Sequence, residues 1–243
     1  MKIIVTDTYE EMGSVAAQVV EAQMEAKPDS ILGLATGTTP ISLYDTLTED
    51  CKAGKISFAD ITTYNLDEYR GLPGTHDQSY RYFMDKYLFD RVDIDKSRTH
   101  LLDGTNPDAD AECAAYEKEL ADAGYVDLQL LGLGHNGHIG FNEPADHFPV
   151  DTHLVDLTES TITANARLFD SVEDVPTQAY TMGIGTCMKA RKILLVANGA
   201  NKARIVRDSF QGPVVPQVPA SILQLHADVT VVVDKEAGSL LDL

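Results

Sequence analysis

Short apolar runs alternate along this chain with longer segments in which apolar residues return every three or four positions. The short runs, at residues 2–6, 31–35, 61–65, 128–132, 192–197 and 228–233, read as strands, with weaker candidates at 99–102, 153–157 and 179–183. The periodic segments between them, at about 9–26, 41–53, 79–89, 108–123, 159–168 and 202–210, read as helices. The stronger strands are continuously apolar, as expected of parallel strands covered on both faces. Strand and helix in alternation predict an α/β fold: a single open, mostly parallel, doubly wound (Rossmann-like) sheet with helices on both faces. A chain of 243 residues suits one large core, so a single domain over 1–243 is expected, and the sequence carries no internal repeat or low-complexity tract. The segments at 71–74 (GLPG) and 212–219 interrupt the pattern and are long enough to be functional loops, the first positioned to act as a lid.

Composition narrows the partners. Lys and Arg total 19 against 38 for Asp and Glu, a net charge of -19, which disfavours nucleic acid and an anionic membrane surface. No apolar run approaches a membrane span, and Met1 leads directly into the apolar triplet at 3–5 without a signal-peptide pattern, so a cytoplasmic protein is expected. Cys51, Cys113 and Cys187 are odd in number and form no CxxC pair, which favours reduced thiols. Cys113 shares a helical spacing with Tyr116 and Leu120, so core packing is its expected role.

The chemistry concentrates at the carboxyl ends of the strands, where an open α/β sheet keeps its ligands. Residues 131–144 read LGLGHNGHIGFNEP, so glycines 132, 134 and 137 let the backbone turn tightly beside His135, His138 and Glu143. His138 and Glu143 are too far apart for one helical face, but a folded-back loop would let the carboxylate orient the imidazole as a proton shuttle. A metal site on His135, His138 and Glu143 is disfavoured, because zinc ligands at such spacing usually sit on a helix or between paired cysteines and the glycines oppose a helix. Taken alone, the segment fits a plain strand-to-helix turn with incidental histidines as well as it fits a shuttle.

Three further constellations lie in similar positions. Residues 31–40 (ILGLATGTTP) run from a strand into Gly37, Thr38, Thr39 and then Pro40, a helix start whose amides and hydroxyls suit an anion; an ordinary cap at Thr39 is the simpler reading. Residues 198–204 (NGANKAR) place Lys202 in the first turn of a helix, where a cation is unfavourable unless an anion is bound, and Arg167 in TANARLF is another candidate cation. Residues 62–73 (TTYNLDEYRGLP) run from a strand into Asp67 and Glu68, of which Asp67 is the better candidate base. Against that stand a helix cap at Asp67 and a surface pair of Glu68 with Arg70.

Together, ATGTTP, NLDEYRGLP, GLGHNGHIGFNEP, NARLF and the Lys202 segment closely resemble glucosamine-6-phosphate deaminase, of the glucosamine/galactosamine-6-phosphate isomerase family, in order and spacing over essentially the whole chain. The resemblance implies aldose–ketose isomerisation coupled to deamination: glucosamine 6-phosphate and water give fructose 6-phosphate and ammonia, without an organic cofactor. It implies that His138 moves the proton that opens the sugar ring, with Asn136 and Glu143 holding the imidazole, and that Asp67 carries the C2 proton to C1. It assigns the phosphate to Gly37, Thr38, Thr39, Arg167 and Lys202. Some members carry aspartate where this chain has Asn136, which here leaves electrostatic support of His138 to Glu143.

The sister family, 6-phosphogluconolactonase, has a similar glycine-rich turn and glycine–histidine loop but differs after the histidine and lacks a segment like NLDEY. A sugar-phosphate sensor without catalysis is the other alternative, and the joint presence of Asp67, His138 and Glu143 argues against it. The expected partner is therefore a small amino-sugar phosphate, not nucleic acid or a membrane. The allosteric, hexameric branch of the family binds N-acetylglucosamine 6-phosphate through basic residues after the GFNEP loop and through a C-terminal extension. Here the matching stretch is ADHFPVDTHLVDL, in which Asp146, His153 and Val155 supply no fixed positive charge, and the chain stops at Leu243 soon after its last strand. A monomer or small homo-oligomer with hyperbolic kinetics is expected.

Overall fold

The computed structural model of the chain describes residues 1–158, 162–163, 166, 169 and 171–243. Its main sheet has seven strands: β1 (Lys2–Thr6), β2 (Ile31–Leu34), β3 (Thr62–Asn65), β5 (Thr99–His100), β6 (Leu128–Gly132), β9 (Lys192–Ala197) and β10 (Val229–Asp234). They lie in the order β1-β10-β9-β6-β2-β3-β5, and every pairing among them is parallel. Helices cover both faces. On one, Val20 of α1 (Tyr9–Ala26) and Leu43 and Leu47 of α2 (Ile41–Lys52) meet Leu32, Leu34, Leu128 and Leu130. On the other, Tyr116 of α4 (Ala109–Asp122) packs edge-on against Tyr64, whose position in β3 alternates with that of Asn65, the partner of Leu34. Cys113, Tyr116 and Leu120 form the buried stripe of α4, as their spacing predicts. The doubly wound α/β architecture is thus the one expected.

The connection from β2 leads outward to β3, whereas that from β6 leads the opposite way to β9. The winding direction therefore reverses between β2 and β6, and the carboxyl ends of these two strands flank the crevice where such sheets bind ligands.

Two departures from the sequence pattern bear on the site. The weak strands near 153–157 and 179–183 are not in the main sheet. They form β7 (His153–Asp156) and β8 (Gln178–Thr181) of a separate antiparallel sheet, ordered β4-β8-β7, whose third strand is β4 (Asp67–Tyr69). β7 is only partly buried, which suits an antiparallel edge rather than a strand covered on both faces. The short helices α5 (Ile184–Met188) and Pro219–Leu225, a 3-10 helix, have no periodic signature long enough to predict them. The predicted helices at 79–89 and 202–210 are present as α3 (Tyr80–Tyr87) and α6 (Ala203–Phe210), whereas the one at 159–168 falls largely outside the described residues. No described helix is long and apolar enough to cross a membrane.

Candidate active site

The loop leaving β6 folds back on itself as its glycines allow. Gly137, at φ 89°, turns the chain so that its N–H donates to Gly134 O at 3.1 Å, and Gly134 N–H donates to His138 O at 2.9 Å. A Cβ on Gly134 would lie 2.3 Å from the imidazole atoms of His138, so only glycine leaves room for the ring. His138 Nδ1 is 2.8 Å from Asn136 Oδ1 and 3.3 Å from Glu143 Oε1, while the Asn136 amide donates to Glu143 Oε2. Both neighbours of Nδ1 are acceptors, so Nδ1 carries the proton in the neutral ring and Nε2 is left as the basic nitrogen. Asn136, Glu143 and His138 therefore form one hydrogen-bonded unit. His135, from the same loop, is exposed, and its pKa is lowered by partial desolvation and then by the charges of Lys202 and His138. Among the described residues, no group of three or more His, Cys, Asp and Glu side chains is arranged to hold a metal ion.

Asp67 reaches the backbone of the histidine loop through strand pairing rather than proximity in sequence. It opens β4, opposite Thr181 of β8, and the Thr181 hydroxyl accepts the N–H of Phe141 at 3.0 Å. Asn142 ties the same loop down by donating to Ile139 O at 2.9 Å and to Met182 O at 2.8 Å. Between these anchors sits Gly140 at φ 56°, where a Cβ would fall 2.7 Å from Thr181 Oγ1 and 3.7 Å from Asp67 Oδ2. The Asp67 carboxyl thus faces the backbone of the histidine loop. Only 7% of Asp67 is exposed, and burial, reinforced by the neighbouring Glu68 charge, pushes its pKa up to about 8.

Glu68 has a different function from either sequence reading. It is the one that caps a helix: its carboxylate accepts from Tyr69 N at 2.8 Å and from Tyr80 N and Arg81 N, both at 2.9 Å, at the start of α3. Burial outweighs these donors and raises its pKa to about 7. Arg70 turns instead to Gln178 Oε1 and Pro107 O.

The third component is the turn after β2. Gly37, at φ 104°, borders open space. Thr39 does not cap α2, whose N-cap is Pro40 with no side-chain bond; the Thr39 hydroxyl donates instead to Asn198 Oδ1 at 2.8 Å, beyond the end of β9. The amides of Thr38 and Thr39 have no acceptor among the described residues. Lys202, at the N-cap of α6, donates from Nζ to Leu133 O at 2.6 Å, just past β6, and has no carboxylate at ion-pair distance among the described residues. Burial lowers its pKa to about 8. The ends of β2, β6 and β9 are therefore linked through Thr39–Asn198 and Lys202–Leu133, with two helix N-termini and one cation directed toward them. Arg167 lies outside the described residues. Asn198, Thr181 and Asn142 escaped sequence reasoning because each acts on a segment distant in sequence, although Asn198 stands in the NGANKAR segment and Asn142 in GFNEP.

Residues 6–232 match the family model for glucosamine-6-phosphate isomerases and 6-phosphogluconolactonase. A curated relative from Halothermothrix orenii, glucosamine-6-phosphate deaminase, is 52% identical over 241 residues, covering 99% of this chain and 100% of the relative. Among solved structures, a monomeric glucosamine-6-phosphate deaminase superposes with a TM-score of 0.96 at 45% identity, over 99% of this chain and 100% of the other. The 6-phosphogluconolactonase of Trypanosoma brucei shares the fold, with a TM-score of 0.75 at 22% identity over 99% of this chain and 98% of the other.

Proposed function

The chain belongs to the family of glucosamine-6-phosphate isomerases and 6-phosphogluconolactonases, and we infer that within it this enzyme converts glucosamine 6-phosphate and water to fructose 6-phosphate and ammonia. The observation that carries the choice between the family's two reactions is Asp67, a buried carboxyl facing the histidine loop. Hydrolysis of a lactone requires no base at carbon. Moving a proton from C2 to C1 requires one, placed beside the carbonyl and enclosed so that its pKa approaches neutrality. The identity to named deaminases over the full chain supports the same choice.

In this reading Nε2 of His138 takes and returns the proton that opens the pyranose ring, while Asn136 and Glu143 hold the Nδ1 proton and stabilise the imidazolium that forms. Asp67 removes the C2 proton of the open aldehyde and delivers it to C1 through an enolamine. The resulting C2 imine takes up water and releases ammonia. Gly37, Thr38, Thr39, Lys202 and Arg167 grip the phosphate, the first four from the junction of β2, β6 and β9. The enzyme acts in the cytoplasm, and it does so as a monomer or small oligomer, the second part of this reading being supported by the monomeric state of the solved deaminase. The test is to measure ammonia released from glucosamine 6-phosphate and acid released from 6-phosphogluconolactone under the same conditions. Ammonia alone is expected; acid release without ammonia would transfer the protein to the lactonase reaction.

A further inference from the structure

Tyr9 lies outside every motif that the reaction uses, yet its hydroxyl sits on the turn assigned above to the phosphate. It donates to Thr38 O at 2.8 Å and accepts from the Ser42 N–H of α2 at 3.1 Å. The contact is reinforced nearby: Ser42 Oγ donates to Tyr9 O at 3.4 Å, and a Cβ on Gly13, one turn further along α1, would lie 2.3 Å from Ser42 Oγ. Helix α1 is therefore seated against the first turn of α2 with the tyrosine at the join. The Thr38 carbonyl also accepts from Ile41 N at 3.3 Å, so it is held on the α1 and α2 side of the turn from two directions.

A trans peptide directs its C=O and the following N–H to opposite sides. Holding the Thr38 carbonyl against Tyr9 therefore turns the Thr39 N–H the other way, and that amide has no acceptor among the described residues. Thr39 is fixed a second time from the opposite strand end, where its hydroxyl donates to Asn198. Tyr9 on one side and Asn198 on the other tie the turn down from both directions. A binding loop already in its bound conformation does not lose that ordering free energy when ligand arrives.

We infer that Tyr9 is a positioning residue for the phosphate turn: its hydroxyl sets the Thr38–Thr39 peptide so that the Thr39 amide is presented to the phosphoryl group, and removing it weakens phosphate binding without slowing the chemistry. The inference rests on the phosphate assignment made under the proposed function.

Tyr9→Phe keeps the ring and removes only the hydroxyl. It is compared with the parent enzyme in kcat and KM for glucosamine 6-phosphate, in Kd for inorganic phosphate by calorimetry, and in Tm. KM and the phosphate Kd are expected to rise together by up to about five-fold, the ceiling set by the one ordinary hydrogen bond to Thr38 O that orders the turn, with kcat within about two-fold. An unchanged phosphate Kd overturns the inference, and a lowered Tm with unchanged Kd gives Tyr9 a packing role only. A parent protein that binds no phosphate, or whose phosphate affinity is indifferent to Lys202→Ala, overturns both the phosphate site and the inference. A parent that releases no ammonia but binds phosphate in a Tyr9-dependent way overturns the reaction and leaves the inference standing.

Discussion

Under the proposed mechanism, Asp67 trades stability for chemistry. Burial and Glu68 raise its pKa from 3.8 to about 8, so the folded state holds this proton more tightly than the unfolded chain does. Folding is unpenalised by Asp67 below the unfolded value; the penalty grows as the pH rises and is complete above the folded value. Asp67→Asn, which has no charge to bury, is therefore expected to raise Tm at pH 7.5, with the gain shrinking as the pH falls and vanishing below about pH 4. The same variant should lose a few orders of magnitude in ammonia release while still binding substrate, and near-normal turnover in a folded Asp67→Asn protein would remove Asp67 from the mechanism. Lys202 responds to burial with the opposite sign. Its lowered pKa of about 8 means that its charge is lost as the pH rises past that point. KM should therefore climb on the alkaline side in the parent enzyme, and Lys202→Ala should show a high KM that no longer climbs, with little change in kcat.

At the scale of elements, the loop after β6 is built around the histidine ring. Gly134 is required for space rather than for a left-handed backbone, since a Cβ there meets the imidazole at 2.3 Å. Gly134→Ala should leave the fold intact but swing His138 away from Asn136 and Glu143, lowering kcat by about 100-fold, as a misplacement of this size does. A Gly134→Ala enzyme with full activity would show that the ring works in another position. Glu68 operates at the same scale, joining β4 to the start of α3 through the two backbone amides of Tyr80 and Arg81. It thereby fixes the strand that carries Asp67.

For the whole molecule, a net charge of -19 makes the cation at the crevice more consequential than it would be on a basic protein. It also bears on regulation. The stretch ADHFPVDTHLVDL contains no Lys or Arg, so it offers an anionic effector no fixed charge by which to favour one conformation over another. Initial rates against substrate are expected to be hyperbolic and indifferent to N-acetylglucosamine 6-phosphate. A sigmoidal curve made hyperbolic by that compound would show an effector site elsewhere.

What the sequence determined by itself was what local chemistry determines. Continuous apolar runs mark strands that must be covered on both faces, periodic stripes mark the helices that cover them, and glycines 134 and 137 mark where a loop has to turn back. The pairing of His138 with Glu143 was legible because both belong to one short loop, whereas Asn136 joined them only through the family resemblance. Tertiary structure decided the rest. The segment containing Asp67 leaves the main sheet to pair with β8, and that pairing brings the carboxyl to the histidine loop. Thr39 gives its hydroxyl to a residue 159 positions away, and Lys202 reaches a carbonyl 69 positions away. Which acid would cap a helix and which would face the site was likewise decided by packing, because neighbouring residues on a strand point to opposite faces and only the assembled sheets give those faces different surroundings. The pKa values of Asp67 and Lys202 follow from the same cause: each side chain is an ordinary acid or base along the chain, and only the folded surroundings remove the water that would keep it so.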